Sequence, residues 1–139
     1  MSSKLQIPIP KFKLRVARGL SGKGIFALEN IPKGKRIIEY IGREVPVEEQ
    51  ETTFGRYLFW TGRKKMIDGN VKENIARFVN HSCRGNCEAD GPRGRVFIRS
   101  IRKIKAGEEL TYDYGEEYFD EYIKPNGCKC KKCQSKPSV

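Results

Sequence analysis

The sequence has no apolar run approaching the roughly 18 residues of a membrane-crossing helix. Residues 1–12 interrupt any leader-like stretch with Lys4, Pro8 and Pro10. The expectation is a soluble protein of a reducing, intracellular compartment. Acids are scarce: 17 against 28 lysines and arginines, a formal net charge of +11, so an acidic surface or nucleic acid is attracted without specific chemistry. Cysteine is missing from the first 82 positions, and all five lie between Cys83 and Cys133. The number is odd, and Cys128, Cys130 and Cys133 are too close for a convincing disulfide set, so metal binding is the better reading. With 139 residues, of which 37% are hydrophobic, the chain can bury one core but not two.

Proline and glycine recur every ten to twenty residues, and the β-branched and aromatic runs between them (24–28, 36–41 and 95–101) read as short strands. Helices are nearly absent; 47–52 and 73–79 alone look helical, and both are short. No internal repeat is visible. The final segment, 126–139, is hydrophilic and offers nothing apolar to bury, so without a metal it should be loose. The acids Asp113, Glu116, Glu117, Asp120 and Glu121 form either a solvated face or a rim that receives a lysine-rich substrate.

Four segments carry chemistry. In 21–27 (SGKGIFA) two glycines, Gly22 and Gly24, remove Cβ atoms that would keep a ligand from the backbone. The plain alternative is a tight turn, and neither a phosphate loop nor a dinucleotide fingerprint fits. In 74–83 (NIARFVNHSC) the chain's single histidine, His81, sits among polar groups that need partners if buried, with Asn86 and Cys87 just beyond. In 107–115 (GEELTYDYG) Tyr112 and Tyr114 fall on one face of an extended strand, as ordinary packing would also place them. In 128–133 (CKCKKC) three thiols supply three corners of a zinc tetrahedron, leaving a fourth ligand to come from elsewhere.

In this order the segments resemble the SET domain of protein lysine methyltransferases followed by the family's cysteine-rich post-SET tail. Arg77-Phe78-Val79-Asn80-His81-Ser82-Cys83 with Asn86, and Glu109-Leu110-Thr111-Tyr112-Asp113-Tyr114, are its most specific parts. The triplets and quartets Glu39-Tyr40-Ile41-Gly42, Tyr57-Leu58-Phe59 and Ile67-Asp68-Gly69 support it. The resemblance implies an N-terminal extension over 1–13, a SET domain over 14–115 and a zinc-binding tail over 116–139. It also implies a mainly β fold of several small curved sheets with few short helices, in which the C-terminal segment threads an earlier loop as a pseudoknot.

By the same resemblance Lys23, Gly24, Ile25, Tyr57, Arg77, Asn80 and His81 bind S-adenosylmethionine. Tyr114 is the catalytic tyrosine, and Tyr112 sets how many methyls are added. Cys83, Cys128, Cys130 and Cys133 hold one structural zinc ion. Two departures from the family pattern concern geometry: the tail reads Cys-x-Cys-x2-Cys, and Arg84-Gly85 replaces a common proline. Cys87 is the alternative to Cys83 as ligand.

Methyl transfer from a sulfonium to an amine is an in-line displacement, so positioning is most of the task, and aromatic walls exclude water. A free lysine, with a pKa of about 10.4, is almost wholly protonated at neutral pH. Burial and the neighbouring sulfonium both favour the neutral amine without a carboxylate base. The expected reaction is mainly monomethylation of a lysine in a histone or histone-like basic protein by a monomeric enzyme. Its expected place is chromatin in a eukaryote or a host, or the cytoplasm or nucleoid of a bacterium. The rival from another class is a basic, zinc-containing module that binds nucleic acid or chromatin without catalysis; a third reading is a degenerate SET domain that binds without turnover.

Overall fold

The computed structural model describes residues 6–19, 22–50, 57–60, 66–91 and 94–113. Within them the chain builds ten short strands: β1 (Leu14–Gly19), β2 (Gly22–Ala27), β3 (Arg36–Tyr40), β4 (Arg43–Val45), β5 (Leu58–Trp60), β6 (Met66–Asp68), β7 (Asn80–His81), β8 (Cys87–Asp90), β9 (Val96–Ser100) and β10 (Thr111–Tyr112). The architecture is mainly β in several small sheets, as the sequence implies. The runs read as strands at 36–41 and 95–101 fold as Arg36–Tyr40 and Val96–Ser100. The two stretches read as helical hold only single 3-10 turns, Val47–Glu49 and Ile75–Phe78. Neither carries a side-chain N-cap bond, and a run this short gains too few hydrogen bonds to sustain an α-helix.

Strands β1 and β2 form an antiparallel hairpin in which Gly24 faces Ala17. The largest sheet has the order β3-β9-β8-β10-β7, and the third has the order β4-β6-β5. The late strand β10 is inserted between two earlier ones and runs parallel to both, pairing Thr111 with Asn80 and Tyr112 with His81 on one side and Tyr112 with Cys87 on the other. It passes against the loop that joins those neighbours, where Ser82 N donates to Tyr112 O at 3.1 Å. This places β10 against the loop that the resemblance expects the C-terminal segment to thread; residues 114–139 lie outside the described residues.

Alternation fixes which faces are buried. Along β9, Val96, Ile98 and Ser100 point inward while Phe97 and Arg99 are half-buried on the outer face. Ile25, Ile31, Ile37, Ile98, Ile104 and Leu110, all fully buried, join β2, β3, β9 and the strand-like 107–110 segment in one core. Residues before β1 contribute to it as well: Lys11 N donates to Ile37 O at 2.9 Å, and Phe12 packs on the core. That is a role for the N-terminal extension which sequence reasoning did not supply.

Candidate active site

Strand β2 is flanked on one edge by β1 and on the other by 107–110. There Ala27 N donates to Glu108 O and Leu110 N donates to Ile25 O, at 2.9 and 2.8 Å, and Phe26 bridges to Glu109. This pairing turns the Glu109 side chain toward Gly24. A Cβ on Gly24 would collide with the Glu109 carboxylate and stand 3.1 Å from Asn80 Nδ2. Gly22, by contrast, has a positive φ of 94° and open space where a Cβ would be. The two glycines therefore do different work: Gly22 shapes the hairpin, and Gly24 lets two polar side chains reach the backbone.

Asn80 is the hub of this cluster. Its Nδ2 donates to Lys23 O at 3.1 Å and to Glu109 Oε2 at 2.8 Å. Lys23, Gly24 and Asn80 are thus brought together, with Ile25 buried beneath them. Asn86, 2% exposed, closes the other side: its Nδ2 donates to Glu109 O, and Thr111 N donates to its Oδ1, both at 2.9 Å. One buried amide thereby satisfies two backbone groups that the irregular strand leaves open. Sequence reasoning missed Glu109 as a site residue; its partners Gly24 and Asn80 lie far from it in the chain, so no local signal marked it.

His81 lies in β7 beside Tyr112. Its Nε2 is 3.4 Å from Cys83 Sγ and its Nδ1 is 3.8 Å from Asp113 Oδ1. Burial holds the imidazole pKa below its ordinary value, with Asp113 acting against that shift. Arg77 donates through Nη1 to Val71 O, Lys72 O and Asn74 O and lies over the Phe78 ring at 4.2 Å, while Lys23 Nζ approaches the same ring at 5.5 Å. The Arg77 guanidinium is thus occupied in holding the 71–74 turn and shares the Phe78 ring with Lys23. Tyr57 meets the third sheet: its carbonyl accepts from Tyr40 OH at 3.0 Å and from Gly69 N at 2.8 Å.

Tyr112, 6% exposed, continues an aromatic run. Its ring lies 6.2 Å from that of Phe59, which lies 4.6 Å from that of Tyr40. Phe59 and Tyr112 border a cavity of about 410 Å³ also lined by Cys83, Cys87, Ile101 and Asp113, among others. Its walls suit an apolar stem entering beside the tyrosine. Tyr114, Cys128, Cys130 and Cys133 lie outside the described residues. Of the four expected zinc ligands only Cys83 is described, and no group of three or more histidines, cysteines and acids able to hold a metal occurs among the described residues.

The SET domain family profile matches residues 22–115, and the site above lies within that span. Histone-lysine N-methyltransferase set-2 of Caenorhabditis elegans is 37% identical over 146 residues, covering 93% of this chain and 9% of its own. The histone-lysine N-methyltransferase, H3 lysine-4 specific, of Schizosaccharomyces pombe is 43% identical over 121 residues, covering 77% and 13%. Histone-lysine N-methyltransferase 2B of Homo sapiens is 35% identical over 129 residues, covering 83% and 5%. The chain belongs to the SET-domain family of protein lysine methyltransferases. It spans only a small part of the length of these curated relatives.

Proposed function

We propose that the protein transfers a methyl group from S-adenosylmethionine to the side-chain amine of a histone lysine at chromatin, mainly once per lysine. The observation that carries this is the parallel pairing of Asn80-His81 with Thr111-Tyr112, directly beside the Gly24 strand. The residues present fit the methyl donor: a backbone without a Cβ at Gly24, the acceptors Lys23 O and Glu109, and the amide of Asn80 form one polar cradle. When bound, S-adenosylmethionine supplies a methyl carried on a positively charged sulfonium.

The chain's own groups do the rest. Asn80 and the backbone of Lys23 and Gly24 orient the donor. The neutral His81 offers a hydrogen bond without adding a second positive charge. The Phe59 and Tyr112 rings, with Tyr40 packed on Phe59, exclude water and disfavour the ammonium form of an entering lysine. The Tyr114 hydroxyl orients the amine; a base role would require a depressed phenol pKa. For the metal, one zinc on Cys83, Cys128, Cys130 and Cys133 would pin the tail. Cys83 suits it better than Cys87, which is buried and whose thiol burial pushes up to about 12.

Incubation with labelled S-adenosylmethionine and histones, followed by mass spectrometry, tests the reading. The H3 lysine-4 tail peptide is the first candidate, because the Schizosaccharomyces pombe relative is H3 lysine-4 specific. Label on lysine, mainly monomethyl and abolished by Tyr114→Phe, is expected. A folded preparation without affinity for the methyl donor would refute it.

A further inference from the structure

Two turns far apart in sequence meet at the start of β3 and the end of β9. Residues 30–37 (NIPKGKRI) and 98–106 (IRSIRKIKA) carry Lys33, Lys35, Arg36, Arg99, Arg102, Lys103 and Lys105 and not one acid. Their backbones are locked together. Ile31 and Ile104 exchange hydrogen bonds of 2.8 and 2.9 Å, Gly34 N donates to Ser100 O at 2.8 Å, and Ser100 N donates to Lys35 O at 2.8 Å. The fully buried Ser100 ties both turns, its Oγ donating to Pro32 O at 2.7 Å and accepting from Lys35 N at 2.9 Å. Gly34 takes a positive φ of 83°, which only glycine adopts without strain. All seven cations except the half-buried Arg99 are exposed.

Some of this charge is locally balanced: Arg99 Nη1 is 2.8 Å from Glu88 Oε1, and Arg36 Nε is 3.6 Å from Asp90 Oδ1. Lys33, Lys35, Arg102, Lys103 and Lys105 form no ion pair with an acid among the described residues. Beside them is a surface cavity of about 580 Å³ lined by Lys11, Phe12, Gly34, Lys35, Arg36, Asp90 and Arg99, with four bases and one acid. Clustered like charges repel within a Debye length of about 10 Å, so a rigid array of them costs stability unless an anion meets it.

We propose that these paired turns are a docking edge for the phosphate backbone of double-stranded DNA. A polyanion of regular charge spacing is the partner that a fixed row of lysines and arginines, held on hydrogen-bonded turns, meets with little ordering cost. The edge leads toward the candidate site: Ile101, between Arg99 and Arg102, lines the cavity that Tyr112 borders. DNA held there would keep a DNA-packaged basic protein beside the cavity mouth. DNA binding is measured directly, so its failure is distinct from failure of the methyl-transfer reading.

The test is fluorescence anisotropy of the full chain with a labelled duplex over a salt series. It compares Lys35→Gln/Arg102→Gln/Lys103→Gln with a control that removes three exposed charges elsewhere, Arg15→Gln/Arg43→Gln/Lys72→Gln. The turn variant should bind at least about tenfold more weakly at 0.1 M salt and lower the slope of log K against log salt by about 2.7, or 0.9 for each lost phosphate contact. The control should change affinity by less than about threefold. Lys35→Arg/Lys103→Arg, which keeps the charge, should bind as the parent does. Equal loss in the control would overturn the proposal by assigning the binding to net charge alone. No binding by the parent would overturn it, and so would polyglutamate of equal charge binding as tightly and weakening equally in the turn variant.

Discussion

At Gly24 the smallest side chain would strike the carboxylate of Glu109, which Asn80 holds in place. In Gly24→Ala the carboxylate has to swing away and its bond from Asn80 breaks. Because the displaced atoms are the end of a flexible side chain, the stability cost should stay near the low end of overpacking, about 1 kcal/mol. The Asn80 amide, however, loses its fixed direction. Affinity for S-adenosylmethionine should fall roughly tenfold, the equivalent of about 1.4 kcal/mol, and isothermal titration beside a thermal melt separates the two effects.

Tyr112 is a second single-residue test. The residue borders the cavity, so Tyr112→Phe, which removes the hydroxyl, should enlarge the room for a methylated nitrogen and shift products toward dimethyl-lysine by mass spectrometry, while trimethyl product from the parent would exclude this role. Cys87 gives a third. Burial raises its thiol from the ordinary 9.0 to about 12, so in the folded state it keeps its proton where the unfolded chain has lost it. The associated stability is complete below about pH 9 and is lost as pH rises from there toward 12. In protein stripped of metal by a chelator, mass-mapped alkylation at pH 8.5 should therefore mark the half-buried Cys83 well before Cys87, and unfolding should equalise the two.

The inserted strand β10 is the element on which the site depends. Asn86 fastens it by filling the hydrogen bonds of Thr111 N and Glu109 O. Asn86→Ala strands two partly buried backbone groups and should cost about 2–6 kcal/mol, at roughly 1–3 kcal/mol for each unsatisfied group, read by denaturant unfolding. Gly85 makes the crossing possible: a Cβ there would stand 2.6 Å from Tyr112 Cα and 2.7 Å from Thr111 O. Backbone atoms cannot step aside as a side chain can, so Gly85→Val should cost roughly 3 kcal/mol, the upper end of overpacking.

Much of this element scale was legible in the sequence. The runs 36–41 and 95–101 are rich in β-branched and aromatic residues between stretches punctuated by glycine and proline, and they became β3 and β9 within a residue or two. Strand β10 has two residues, too few for any periodicity; its partnership with Asn80-His81 was readable only from the specific residue string. Arg84-Gly85 looked like a loosened turn, yet its tight contact with β10 comes from a strand 26 positions later. The Glu109 carboxylate was overlooked for the same reason, since its target on β2 is 85 residues away.

On the scale of the whole molecule, the sheet order β3-β9-β8-β10-β7 places the basic turns at one edge and the Asn80-His81 strand at the other, with the Tyr112 cavity between them. If the turns hold DNA while the cavity takes a lysine, two substrates that differ only in DNA should respond differently to salt. For a histone tail peptide, kcat/KM depends on the cavity and on few charges, so it should change little. For the same tail on DNA-assembled histones, three phosphate contacts at the turns make a fourfold rise in salt lower kcat/KM by about 40-fold. The Lys35→Gln/Arg102→Gln/Lys103→Gln variant should lose that salt sensitivity while treating the free peptide as the parent does. A parallel salt response for both substrates would mean that the charged edge takes no part in presenting the lysine.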